Sequence, residues 1–97
     1  MLSQQIQPKR VLIAEDDKNS QLIMSFILSE AGLKTKTAKN GKECLDIALD
    51  AWEKNEAFDV ILLDIQMPIL NGHQTARELR KRGYDKPILA VSARITE

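Results

Sequence analysis

Hydrophobic positions along the chain alternate between two patterns. Val11, Leu12, Ile13 and Ala14 form an unbroken apolar run, flanked by Arg10 and by Glu15, Asp16 and Asp17. A short run without alternation suits a strand buried on both faces, as in a parallel sheet. Leu22, Ile23, Phe26 and Ile27 then recur at helical spacing. Asp17 or Asn19 is placed to cap that helix, and Gly32 to end it. Residues 34–38 alternate basic and small side chains, a weaker strand pattern expected at a sheet edge. Asn40-Gly41 signals a turn, and from Lys42 onward Leu45, Ala48, Leu49 and Trp52 share one helical face. Val60, Ile61, Leu62 and Leu63 repeat the buried-strand pattern and lead into Asp64. A Met67-Pro68 break follows, then Asn71 as a candidate cap for a helix to about Arg82, closed by Gly83. Residues 87–91 make a third buried run, ending at Ser92. Residues 1–8 are mostly polar and read as an N-terminal leader, leaving residues 9–97 as one domain.

The order is strand-helix repeated three times and a final strand. Such alternation predicts an α/β fold with a doubly wound parallel sheet and right-handed crossovers. Ligands in these sheets bind beyond the carboxyl ends of the strands. Here those ends carry Glu15, Asp16 and Asp17, then Asp64, then Ser92. The acidic and hydroxyl groups thus fall where the architecture expects a site.

Composition narrows the classes. A 97-residue chain is enough for one domain that buries about 65% of its unfolded surface. Basic and acidic residues number 14 each, for zero net charge, which argues against nucleic acid as a partner. No apolar run approaches a membrane span, and the first residues lack the apolar core of a signal peptide. Cys44 is alone and forms no internal disulfide. A soluble cytoplasmic domain is expected.

Three strand ends at one edge bring Glu15, Asp16 and Asp64 together. Like charges at short range oppose joint ionisation unless a cation intervenes. Hard oxygen ligands of this kind suit Mg2+. The simpler alternative is that the acidic residues after the first strand are helix caps. The chain resembles the receiver domain of two-component response regulators, and more narrowly the receivers of hybrid histidine kinases. The likeness rests on Val11-Leu12-Ile13-Ala14-Glu15-Asp16, on Val60 to Pro68 with Asn71-Gly72 after it, and on Pro87 to Ala93. It implies a flavodoxin-like fold and a phosphorylatable signalling module. By the resemblance Asp64 takes a phosphoryl group from a phosphohistidine on a histidine kinase or histidine phosphotransfer protein. Asp16 is then the direct Mg2+ ligand, Glu15 reaches the ion through water, and the Gln66 backbone carbonyl completes the protein ligands. Ser92 turns its hydroxyl toward the phosphoryl group, with small Ala93 beside it.

The family pattern continues through a fourth helix, a fifth strand and a fifth helix, whereas this sequence stops at Glu97. An incomplete receiver is therefore expected, without the lysine and the aromatic residue of the fifth strand. Leu89 and Val91 would lie on an uncovered sheet edge, open to a homodimer. Two other readings stand beside this one. A pseudo-receiver keeps the fold as an interaction module without phosphorylation. A haloacid-dehalogenase-type phosphatase wants a second Asp two positions after its nucleophile, where Gln66 stands. No enzymatic activity is expected beyond self-phosphorylation from a donor. His73 reads as an exposed polar residue at a helix start, and Cys44 as packed and inert. Arg77, Arg80, Lys81 and Arg82 read as a solvated helix end.

Overall fold

Parallel pairing follows from the buried runs, because strands joined by helices must run the same way. The computed structural model describes residues 9–91. The leader expected over residues 1–8 and the switch residues Ser92 and Ala93 lie outside the described residues. Strands β1 (Arg10–Ala14), β2 (Lys34–Ala38), β3 (Val60–Asp64) and β4 (Ile88–Val91) alternate with helices α1 (Lys18–Glu30), α2 (Gly41–Glu53) and α3 (Gly72–Lys81). They form a four-stranded sheet in the order β2-β1-β3-β4, parallel throughout. The α/β architecture and the edge position of β2 are as the sequence predicts.

Strand order places the helices. The chain steps from β1 to β2 in one direction, then back across β1 to β3 and onward to β4. Right-handed crossovers therefore put α1 on one face and both α2 and α3 on the other. The core lies under α2 and α3. Leu12 and Ala14 of β1 and Ile61 and Leu63 of β3 alternate toward that face, where they meet Cys44, Leu45, Ala48, Ala51 and Leu79. Cys44 is fully buried, and burial pushes its thiol up to about 12. Trp52 packs on Tyr84 with ring centroids 5.2 Å apart. Val11 and Ile13 are buried on the opposite face, so β1 is covered on both sides.

Helix ends follow local chemistry. Asp17, not Asn19, caps α1, accepting hydrogen bonds at 2.9 Å from both the backbone N–H and the hydroxyl of Ser20. Those bonds hold the Asp17 carboxyl below its ordinary range. Asn40 is more than a turn residue. Its side chain caps α2 by accepting from the Glu43 N–H, so the helix begins at Gly41 rather than Lys42. Gly32 and Gly83 adopt φ of +90° and +92° past the ends of α1 and α3, the left-handed conformation that stops a helix. The basic stretch at the end of α3 is a solvated helix end. Arg80 donates to the Tyr84 and Lys86 carbonyls, while Lys81 and Arg82 face Glu78 at 3.6 and 3.7 Å.

Helix α1 is the exception to burial. It has no buried residue, and Leu22 and Phe26 are 61% and 66% exposed, with Ile23 and Ile27 close behind. Helical spacing read correctly gave the helix; the described residues do not cover its apolar stripe. On the described sheet β4 is an edge, with Leu89 54% exposed and Val91 half-buried. Among the described residues no helix is long and apolar enough to cross a membrane.

Candidate functional site

The site forms where β1 and β3 end side by side. Ala14 pairs with Leu63 in the parallel ladder, so the next residues, Glu15 and Asp64, emerge at the same edge. Glu15 is anchored by its backbone N–H, which donates to the Ala38 carbonyl at 2.9 Å. Its side chain is buried, 3% exposed, and accepts the Asp17 N–H at 3.0 Å. Asp64, 8% exposed, accepts the Gln66 N–H at 3.2 Å. Asp16 is exposed. Carboxylate oxygens of Glu15, Asp16 and Asp64 all lie within 4.8 Å of one another.

The acidic run after β1 thus divides residue by residue. Asp17 is a helix cap, as the simpler alternative has it, and Glu15 and Asp16 join Asp64 in a cluster. Burial holds the Glu15 carboxyl above its ordinary value. The Asp17 N–H opposes that rise, and the charges of Asp64 and Asp16 add to it. Among the described residues no salt bridge reaches these three carboxylates. A crowded cluster of hard oxygens, two of its three carboxylates buried and none in a salt bridge among the described residues, fits a small divalent cation such as Mg2+.

The loop from β3 to α3 is held tightly. Gly72 donates its N–H to the Ile65 carbonyl at 3.0 Å. A Cβ on Gly72 would stand 2.5 Å from the Asp64 carbonyl oxygen, so only glycine lets α3 start this close to the strand. Asn71 and Gln74 form a reciprocal capping box, each side chain accepting the other's backbone N–H at 2.9 Å. The fully buried Thr75 donates its hydroxyl to the Asn71 carbonyl at 2.8 Å. Gly41 at the start of α2 packs against the Leu70 carbonyl and Thr75, seating the second helix on the same loop.

A cavity of about 460 Å³ opens over this loop, lined by Asp16, Gln66, Met67, Asn71 and His73 among others. A larger one, of about 660 Å³, lies at the amino edge of the sheet between Arg10, Trp52, Asp59 and Lys86. Its charges are mixed, and Arg10 is occupied by stacking 4.4 Å over Phe58. Lys86, just before β4, is therefore at the opposite edge from the carboxylates. Chemistry favours the smaller cavity. The sequence did not single out His73 as part of it, because an exposed residue after Gly72 carries no distinguishing pattern. The adjacent Asn71-Gly72 pair, at the strand-end edge, is the available signal.

Residues 11–97 match the response regulator receiver domain family. The chain belongs to that family. It is 38% identical over 93 residues to hybrid signal transduction histidine kinase I of Dictyostelium discoideum, covering 92% of this chain and 5% of the kinase. It is 34% identical to two-component response regulator 24 of Arabidopsis thaliana, covering 89% of this chain and 59% of the relative. The receiver domain spans only part of the length of these relatives. Its fold superimposes with a TM-score of 0.78 and 30% identity on the receiver domain of the histidine kinase CKI1 from Arabidopsis thaliana, solved with Mg2+ and BeF3-. That comparison covers 92% of this chain and 68% of the CKI1 chain.

Proposed function

We propose that this receiver domain accepts a phosphoryl group on Asp64 from the phosphohistidine of a histidine kinase or histidine phosphotransfer protein. The observation that carries the reading is the cluster itself, with carboxylate oxygens of Glu15, Asp16 and Asp64 within 4.8 Å at the ends of β1 and β3. Asp16 and Asp64 would hold Mg2+ directly with the Gln66 carbonyl, and Glu15 through water. When bound, the ion would offset the negative charge that otherwise keeps a phosphoryl group away from a carboxylate.

The residues of this chain account for the transfer. An Asp64 carboxylate oxygen attacks phosphorus as the P–N bond to the donor imidazole breaks. The electron pair of that bond stays on the imidazole nitrogen, which takes up a proton, and the product is an acyl phosphate. The Gln66 N–H bond to Asp64 orients the carboxylate, and the seated loop keeps it from swinging away. Ser92 would then follow the new charge with its hydroxyl, with Ala93 leaving it room. The domain has no turnover of its own beyond this self-modification, which also sets its partners as signalling proteins rather than nucleic acid or membrane.

Incubating the 97-residue chain with acetyl phosphate and Mg2+ should add one phosphoryl mass, read by intact-protein mass spectrometry. Asp64→Asn should abolish the addition. Equal labelling of that variant would overturn the assignment. An unlabelled wild-type chain that still binds Mg2+ would establish the pseudo-receiver reading instead.

A further inference from the structure

We infer that residues 68–70 form a strained flap at the rim of the site, and that opening of the flap also unseats the start of α2. Ile69 carries the strain. Its φ is +70°, and across it the Leu70 N–H donates to the Pro68 carbonyl at 2.7 Å. A bond spanning three residues, with positive φ at the middle one, makes a γ-turn of the rare and strained kind. A β-branched side chain suits that backbone least, because its Cβ substituents crowd the neighbouring peptide groups. Burial of the side chain offsets none of this, since Ile69 is 76% exposed. The cause lies on either side of it. Met67 is buried in the core, and Leu70 packs against the same core. The Pro68 ring fixes its own φ and holds Met67 extended. Reversal of the chain between the two anchored residues therefore falls on Ile69.

Strain bracketed in this way has one outlet. Ile69 returns to negative φ, the Leu70 N–H leaves the Pro68 carbonyl, and residues 68–70 swing. Met67 stays in the core, and the Gly72 N–H bond to the Ile65 carbonyl keeps the loop closed behind them. The swinging segment meets two other parts of the molecule. Pro68 lines the cavity that Asp16 also lines, so its displacement reshapes the rim of the site. The Leu70 carbonyl packs against Gly41, the first residue of α2, so closely that no side chain fits there. Displacing Leu70 carries that carbonyl off Gly41 and frees the start of α2. A molecule in the cavity that favours one position of Pro68 therefore biases the equilibrium that seats α2. The inference stands on backbone geometry and packing and does not depend on Asp64 being the acceptor.

The test is amide exchange and NMR relaxation dispersion on the 97-residue chain, comparing wild type with Ile69→Gly, Ile69→Asn and Ile69→Val. Glycine and asparagine accept positive φ, whereas valine keeps the β-branch. Exchange of the Leu70 N–H should slow about five- to thirtyfold in Ile69→Gly and Ile69→Asn, the worth of one relieved backbone strain. In Ile69→Val it should stay within about twofold of wild type, because the strain is kept. Low urea should speed exchange in β1 and β3 and leave wild-type Leu70 unchanged, the mark of a local opening that exposes little surface. Leu70 and Gly41 should share one dispersion rate constant in wild type and lose it together in Ile69→Gly. Equal Leu70 exchange in wild type, Ile69→Gly and Ile69→Asn would overturn the strained flap. So would a Leu70 rate that rises with urea in step with the strands, since the turn then opens only when the domain unfolds. Dispersion at Leu70 with none at Gly41 would overturn the link to α2.

Discussion

The two faces of the sheet are built from the same kind of sequence and end in opposite states. Under α2 and α3, apolar residues from both helices close over Leu12, Ala14, Ile61 and Leu63 and form a buried apolar core. On the other face, α1 sets its apolar stripe at Leu22, Ile23, Phe26 and Ile27 toward solvent. Periodicity in a sequence reports which residues need cover; it does not report what covers them. The α2 and α3 residues find their partners within the described sheet, and the α1 stripe does not. Isolated exposed apolar residues are ordinary, whereas a contiguous set on one helix is not.

Leu79 is the sharpest probe of the covered face, since it is fully buried between α3 and the sheet. Leu79→Ala should lower the unfolding free energy by about 2–5 kcal/mol in a urea titration. A loss below about 1 kcal/mol would erase the contrast between the faces. A smaller effect is expected at Gly72, where an added methyl meets the Asp64 carbonyl at 2.5 Å. Gly72→Ala should cost about 1–3 kcal/mol by forcing α3 off the strand. It should also weaken labelling of Asp64, because the loop and the acceptor move together. Retained stability with full labelling would show that the close seat of α3 is dispensable. The smallest change is predicted for Phe26→Ala, within about 0.5 kcal/mol, because the ring is mostly in water already. If that variant instead loses as much as Leu79→Ala, and the loss grows with protein concentration, a second copy covers the stripe in solution.

Much of the fold was legible because each element carries its own punctuation. Buried runs without alternation gave the parallel strands, and Gly32 and Gly83 marked helix ends that the positive φ angles explain. Asn40-Gly41 signals a turn in the sequence as much as a helix cap, and the bond from the Glu43 N–H to the Asn40 side chain decides for the cap. The site was legible to the extent that strand ends converge. Glu15, Asp16 and Asp64 could be brought together from topology alone. What topology does not tell is how one acidic run divides, and Asp17 became a cap only through its bonds to Ser20. Nor does it tell that Gly41 and Gly72 seat two helices on one loop. That packing depends on distances between segments far apart in the chain. Ser92 and Ala93 lie outside the described residues, so their assigned roles rest on the resemblance.

The lone cysteine gives the molecule a built-in clock. Cys44 sits in the buried apolar interface between α2 and the sheet, with its thiol pushed up to about 12. Both its ionisation and its access to reagent are therefore denied while that interface is closed. Alkylation in native buffer has to wait for α2 to lift, so its rate counts those openings. The exposed face, however it behaves, leaves that count untouched unless the two faces open as one cooperative unit. A comparison of alkylation rate with the global unfolding rate would distinguish local breathing of α2 from whole-domain opening, with no label added to the protein beforehand.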